Sequence, residues 1–175
     1  MKAWYFSESS KRLRYKDNRE IALGITHTVE GKPDPCNHGL HGSVCLIDAL
    51  NSAPGPIIWE VELDGEIVEH EDHDKYAATK RTYLRGGIDV TDILRSFARR
   101  CALDVIDEWN APLIVRQYLE TGDESIWAAA RDAAWDAARD AAWAAARNAA
   151  RAAARATALT KYNQWLTDMV EEALK

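Results

Sequence analysis

"GPIIWEVELDGEIVEH", Gly55 to His70, carries the clearest local signal in the chain. Two runs rich in β-branched residues flank Asp64-Gly65. That dipeptide suits a two-residue type I′ turn, in which both central residues need φ > 0. The spacing predicts a β-hairpin that turns at Asp64–Gly65.

Strand signals continue on both sides. Upstream, "AWYFS" (3–7) is aromatic enough for an opening strand, and "GITHTVEG" (24–31) alternates like a second one. Between them and the hairpin lies "SVCLIDALNSAPGP" (43–56), read as a helix with Ser43 as N-cap, closed by Pro54-Gly55-Pro56. Downstream, "TKRTYLRGGIDV" (79–90) reads as a further strand. Residues 1–90 are therefore expected to form a small β-rich head.

From Thr91 the period changes. Ile93, Leu94, Phe97, Cys101, Val105 and Trp109 recur at helical spacing, with Thr91 as a cap. "PLIVRQYLETG" (112–122) has Pro at its start and Gly just past its end, the arrangement that brackets a helix. Residues 91–122 read as a helical pair on the head. Asp123 can cap a third segment, 123–175, in which alanine fills 19 of the 31 residues from Ala128 to Ala158. With no Gly or Pro in that run, helix is dictated by propensity alone. Trp127, Arg131, Trp135, Arg139, Trp143 and Arg147 fall every four residues, an i,i+4 ladder in which guanidinium and indole stack in cation–π contact. The stripe advances about 40° per step, so it winds around the helix instead of lying along one partner. One helix of about 50 Å and several stacked shorter ones both fit. In either form the tryptophans need cover, from the head, from the last helix (Trp165, Leu166, Met169, Val170) or from a second subunit, and homo-oligomer assembly through this ladder is the favoured expectation. The expected fold class is α+β, a β-rich head followed by an alanine-rich helical part.

Net charge is −6 with five histidines counted as neutral, so no global basic field recruits nucleic acid. A local basic cluster, Lys11, Arg12, Arg14, Lys16 and Arg19, reads as a solvated turn between strands ahead of a phosphate-binding patch. No apolar run is long enough to span a membrane, and "MKAWYFSESS" lacks the apolar core and cleavage site of a signal peptide. Three cysteines do not build a disulfide framework, and a reducing cytoplasm is expected.

The chemistry-bearing stretch is "CNHGLHGSVC" (36–45). Cys36, His38, His41 and Cys45 are zinc-type ligands, but four within ten residues is a compressed set for a tetrahedral site. "EHEDHDK" (69–75) reads as a solvated loop. Ser43 and Cys45 lie near His41 without a nucleophile elbow, and no phosphate-cradling glycine loop or dinucleotide fingerprint occurs.

Cys36, Gly39, Leu40, His41 and Ser43, then Asp48-Ala49-Leu50 and Ala53-Pro54-Gly55, resemble a phage- and prophage-encoded domain family of unknown function. Its signature is Cys-x-x-Gly-Leu-His-Ala-Ser; Gly42 departs from the usual alanine. Asp74-Lys75 and Arg81 also resemble family positions. The resemblance covers about residues 1–100. "LRSFARRCALDVIDEW" with the alanine-rich segment is similar to helical segments of phage proteins and of immunity-like bacterial proteins. Because the signature contains Cys36 and His41 but not His38 or Cys45, it implies no four-ligand zinc, and no metal or other cofactor is expected.

The order strand, "GLHGS", helix and strand "IIWEVEL" is similar to the ADP-ribosyltransferase-like fold. That similarity implies His41 and Ser43 facing a ligand, with Glu60 or Glu62 as a carboxylate. The full arrangement of such a site is not found here. The resulting expectation is a phage accessory protein of the bacterial cytoplasm, a non-enzymatic binding and assembly protein, with counter-defence as a suitable role. It would recognise a host protein or a nucleotide-like ligand through His41, Ser43, Glu60, Glu62 and Arg81. The alternative is an enzyme acting on NAD or another nucleotide.

Overall fold

The computed structural model describes residues 1–108, 110–141 and 151–175, and their side chains except at 108, 135–141 and 151–157. The architecture is mixed α+β, an antiparallel sheet from the N-terminal half and helices beyond it. The strands are β1 (Lys2–Ser7), β2 (Thr26–Thr28), β3 (Leu40–Gly42), β4 (Ile57–Glu69) and β5 (Tyr76–Asp89).

β4 lies between β1 and β5. The far edge of β5 is shared: β2 pairs with Lys80–Thr82, and β3 with Tyr76–Ala78. Ser43, just after β3, then bridges Trp4 of β1, each N–H reaching the other's carbonyl oxygen at 2.7 and 3.0 Å. The circuit β1–β4–β5–β3–β1 is closed, which leaves few unpaired strand edges.

The hairpin expected within residues 55–70 does not form; that stretch is one arm of a longer hairpin with β5. Asp64 and Gly65 do not connect two strands; they lie inside one 13-residue strand, β4. The turn is His70–Lys75, held by His70 N–H to Lys75 O at 2.9 Å and by the His70 imidazole against Asp74 at 2.9 Å. Gly65 does adopt φ +76°, but in a bulge, where the ladder skips from Asp64–Lys80 to Ile67–Ala78. The left-handed conformation that suits a type I′ turn also suits a bulge, so the dipeptide alone does not choose between them. A Cβ at Gly65 would stand 2.2 Å from Thr79 Oγ1, the atom that accepts the Glu66 N–H at 3.0 Å.

Further register shifts lie between Ile58 and Trp59 and between Glu60 and Val61, opposite extra residues in β5. Such bulges bend and twist a long hairpin, the shape needed for closure. Ile57, Trp59, Val61 and Leu63 enter one core cluster with Ala3, Leu13, Ile21, Leu40, Ala78 and Tyr83. The intervening Ile58 and Glu60 are buried outside that cluster.

The first helix, α1 (Leu46–Asn51), starts later than expected. Its N-cap is Cys45, without a side-chain cap bond, because the Ser43 backbone is committed to the bridge with Trp4. α2 (Thr91–Asp104), α3 (Leu113–Thr121), α4 (Trp127–Ala141) and α5 (Arg151–Ala173) follow. α3 ends on Gly122 at φ +68°, and Asp123 caps the next turn by accepting the Ser125 N–H at 2.9 Å. Both ends follow from the sequence punctuation.

The chain divides into two compact units, Met1–Thr91 with Asn163–Lys175, and Asp92–Tyr162. The second unit runs from α2 into α5, and the end of α5 belongs to the first unit with the sheet. In that first unit Leu166 and Val170 are fully buried, Asn163 Oδ1 accepts the Ile47 N–H at 3.1 Å, and Glu171 takes both its oxygens to Arg85 Nη2 at 2.6 and 2.8 Å. In the second unit Arg131 lies 4.9 Å over the Trp127 ring, and Trp127 is half-exposed. Trp143 and Arg147 lie outside the described residues, as does Trp109; the side chains of Trp135 and Arg139 lie outside the described side chains. Among the described residues no helix is long and apolar enough to cross a membrane.

Candidate functional site

Beside β3 the first unit holds a cavity of about 710 Å³. Its geometry follows from the seam between β1 and β3. An antiparallel ladder continued past Ser43–Trp4 would next pair His41 with Phe6, joining the His41 carbonyl to Phe6 N–H. Instead that carbonyl accepts Nη1 of Arg81 at 2.6 Å. Trp4, Tyr5, Phe6 and residues 38–43 line the space beside this seam.

Arg81 is 2 % exposed. Its guanidinium packs 3.7 Å over the Tyr5 ring, and Nε and Nη2 both donate to the Tyr83 hydroxyl, at 3.1 and 2.7 Å. The Tyr83 oxygen accepts from Arg81, so its hydrogen is free for Nδ1 of His27 at 3.1 Å. That bond requires an imidazole without a proton on Nδ1. Burial, then the charges of Arg19 and Arg81, hold the His27 pKa below its ordinary value, in keeping with the neutral ring. Burial likewise pushes the Tyr83 phenol up, against the pull of Arg81. No carboxylate bonds Arg81 among the described residues. Three of its five N–H groups are used, leaving one on each terminal nitrogen.

His41 stands on β3 opposite Ala77. Its Nε2 is buried and has no hydrogen-bond partner. Burial, then the positive charges of Arg81 and Lys75, lower its pKa. A neutral imidazole with a bare Nε2 accepts from a hydroxyl or amine; once protonated, it donates to an anion.

Lys75, Arg14 and Asp17 also line the cavity. Asp17 is occupied by Arg19, with contacts of 2.6 and 2.7 Å, and that bond holds its carboxyl below the usual range. Arg14, Lys75 and Arg81 thus outnumber the acids, and Tyr5, Trp4 and Tyr15 add aromatic faces.

Of the five ligand-binding residues expected from the sequence, His41, Ser43 and Arg81 meet at this cavity. Ser43 is 3 % exposed and anchored by its backbone. Glu60 and Glu62 are not in the lining. Glu60 binds Lys2 at 3.1 Å and Arg85; burial raises its carboxyl, but these partners outweigh burial and lower it overall. Glu62 is exposed on β4 and pairs across with Thr82 and Lys2. Cys36 is exposed at the cavity, and Cys45 is exposed as well. Among the described residues no three His, Cys, Asp or Glu side chains gather as a metal site. Tyr5 and Tyr15 carry no site signal in the sequence, Lys75 only a resemblance to a family position, and Arg14 only membership of the basic cluster. The basic cluster around Arg14 was the available signal, and it was read as a solvated turn.

Residues 10–96, just under half of the chain, are similar to a family described as a domain of unknown function (DUF7666). The match takes in the 11–18 loop, β2 to β5 and the cavity's Arg81, and leaves out β1. No curated protein and no solved structure matches the chain.

Proposed function

We propose that the sheet unit is a non-enzymatic binding module for a small, anionic, nucleotide-like ligand, carried by a phage-type accessory protein. The observation that carries this reading is Arg81: a buried guanidinium beside a cavity, with two free N–H groups and, among the described residues, no carboxylate on it. A buried charge without a counter-ion costs several kcal/mol, and a bound anion offsets that cost. His41 Nε2 and Lys75 supply further polar contacts, and the aromatic faces suit a planar group.

The enzyme alternative needs a carboxylate beside His41. Glu60 and Glu62 lie away from the cavity lining, and Glu60 is engaged by Lys2 and Arg85, which favours binding over turnover. The phage reading and a counter-defence role rest on the resemblance of residues 36–55. Self-association rests on the Trp127–Arg131 contact and the exposure of Trp127.

The test is calorimetric titration of the full chain with AMP, NAD and inorganic phosphate, repeated on Arg81→Met. Binding by the parent and a loss of at least about tenfold in Arg81→Met supports the reading; equal binding sinks it. Release of nicotinamide from NAD, abolished by His41→Ala, would establish the enzyme instead. For assembly, sedimentation velocity compares the parent with Trp127→Ala, since truncation at Asp123 would also remove Leu166 and Val170 from the sheet unit. An unchanged sedimentation coefficient removes Trp127 from any interface.

A further inference from the structure

Resting on that reading, we infer that the loop Lys11–Asn18 is the second half of the ligand site and selects a phosphate ester that carries a flat aromatic ring, the nucleoside monophosphate class, over a bare anion.

Four residues of this loop that are not glycine hold left-handed backbone: Lys11 (φ 49°), Tyr15 (φ 59°), Lys16 (φ 70°) and Asn18 (φ 55°). Asn tolerates this region; Lys and Tyr do so only under constraint. The constraint is visible. Leu13 is buried in the core, and its N–H reaches Arg19 O at 2.9 Å. Asn18 N–H reaches Leu13 O at 3.2 Å, Ile21 N–H reaches Lys11 O at 2.8 Å, and Arg12 Nη1 holds Asn18 O at 2.9 Å. The loop is a pinned arm, and Leu13 is its peg.

What the strain achieves is the position of the next two side chains. Tyr15 lines the cavity yet is 87 % exposed, the most exposed of the large apolar side chains among the described residues. Arg14 lies 4.9 Å over the Tyr15 ring and 3.5 Å from Glu8. Arg14 covers one face of the phenol and leaves the other for a second flat group. A base stacked there gains a contact that tolerates any ring, while Arg14 adds a second cation to Arg81 for the phosphate. Strained, exposed aromatic residues at a cavity mouth are the pattern of a ligand clamp.

Titration of the full chain with AMP, GMP and inorganic phosphate tests this on Tyr15→Asn, Tyr15→Trp and Arg81→Met. Asn keeps the left-handed backbone, so the arm retains its path. The expected result has the parent binding AMP and GMP more tightly than phosphate. Tyr15→Asn should lose roughly tenfold or more for the nucleotides, with phosphate affinity unchanged, and Tyr15→Trp should restore them. If Tyr15→Asn binds AMP as the parent does while Arg81→Met does not, the arm is excluded and the cavity reading stands. If Arg81→Met binds all three ligands as the parent does, the cavity reading falls and this inference with it. Failure of the parent to bind AMP or GMP overturns the ligand class.

Discussion

Nη1 of Arg81 takes the main-chain oxygen of His41 at 2.6 Å, the oxygen that an unbroken β1–β3 ladder would give to Phe6. The Ser43–Trp4 bridge closes the strand circuit, and the Arg81 side chain satisfies the carbonyl left open where the ladder stops, beside the cavity. The same guanidinium fixes Tyr83, and through it His27, so the charge at the cavity and the order of the interior are coupled.

Arg81→Lys tests the fork. Lysine retains the charge but has a single nitrogen, whereas arginine uses three to hold Tyr83 and His41. Unfolding free energy from urea titration should fall by about 1–3 kcal/mol. An unchanged midpoint and slope would mean that the fork contributes nothing to stability.

Stability should decline as pH falls below about 6.5, the ordinary histidine value. His27 and His41 both have folded-state pKa values below that, so the unfolded chain binds protons first and stability is full only above it. The loss runs down through the folded pKa values. His27→Gln should flatten the profile between pH 7 and 5; a profile as steep as the parent's would rule out His27 as its source.

Gly87→Ala and Gly24→Ala have the same φ of +77°, yet they should differ. At Gly87 the new Cβ would lie 2.6 Å from the Trp59 ring, which is buried and bonded through Nε1 to Ser7 Oγ at 3.0 Å; at Gly24 nothing lies within 4 Å. Gly24→Ala should cost about 1–2 kcal/mol from backbone strain alone, and Gly87→Ala about 1–3 kcal/mol more from the clash. Equal costs in denaturant titration would contradict the packing of Trp59 on Gly87.

Leu166→Ala should destabilise the sheet unit by about 2–5 kcal/mol, as expected for a fully buried leucine. Hydrogen exchange should quicken in residues 163–175 and also at Ile47, whose N–H is held by Asn163. Faster exchange confined to residues 163–175 would argue against that link.

Local chemistry made much of the fold legible. Residues rich in β-branched side chains marked 57–69 and 79–90 as strand-forming, though not their pairing, and Pro112, Gly122 and Asp123 marked helix ends where they occur. Asp64–Gly65 misled because φ > 0 is shared by turns and bulges, and only the partner strand decides between them. His41, Ser43 and Arg81 could be singled out from one stretch and a resemblance. Tyr5, Arg14, Tyr15 and Lys75 join them only through the return of β3 to β1 and the peg of Leu13, which are distant in sequence. The environment of Glu60 turned on Arg85 and Lys2, which no local pattern connects to it.

The return of residues 163–175 to the sheet unit has a consequence for biosynthesis. The surface that Leu166 and Val170 fill is made early, but its filling leaves the ribosome only after about 70 further residues. At about 5–20 residues per second that interval is roughly 4–14 s. For that time the nascent sheet lacks part of its core, and a chaperone or a premature encounter between two chains has its opening then.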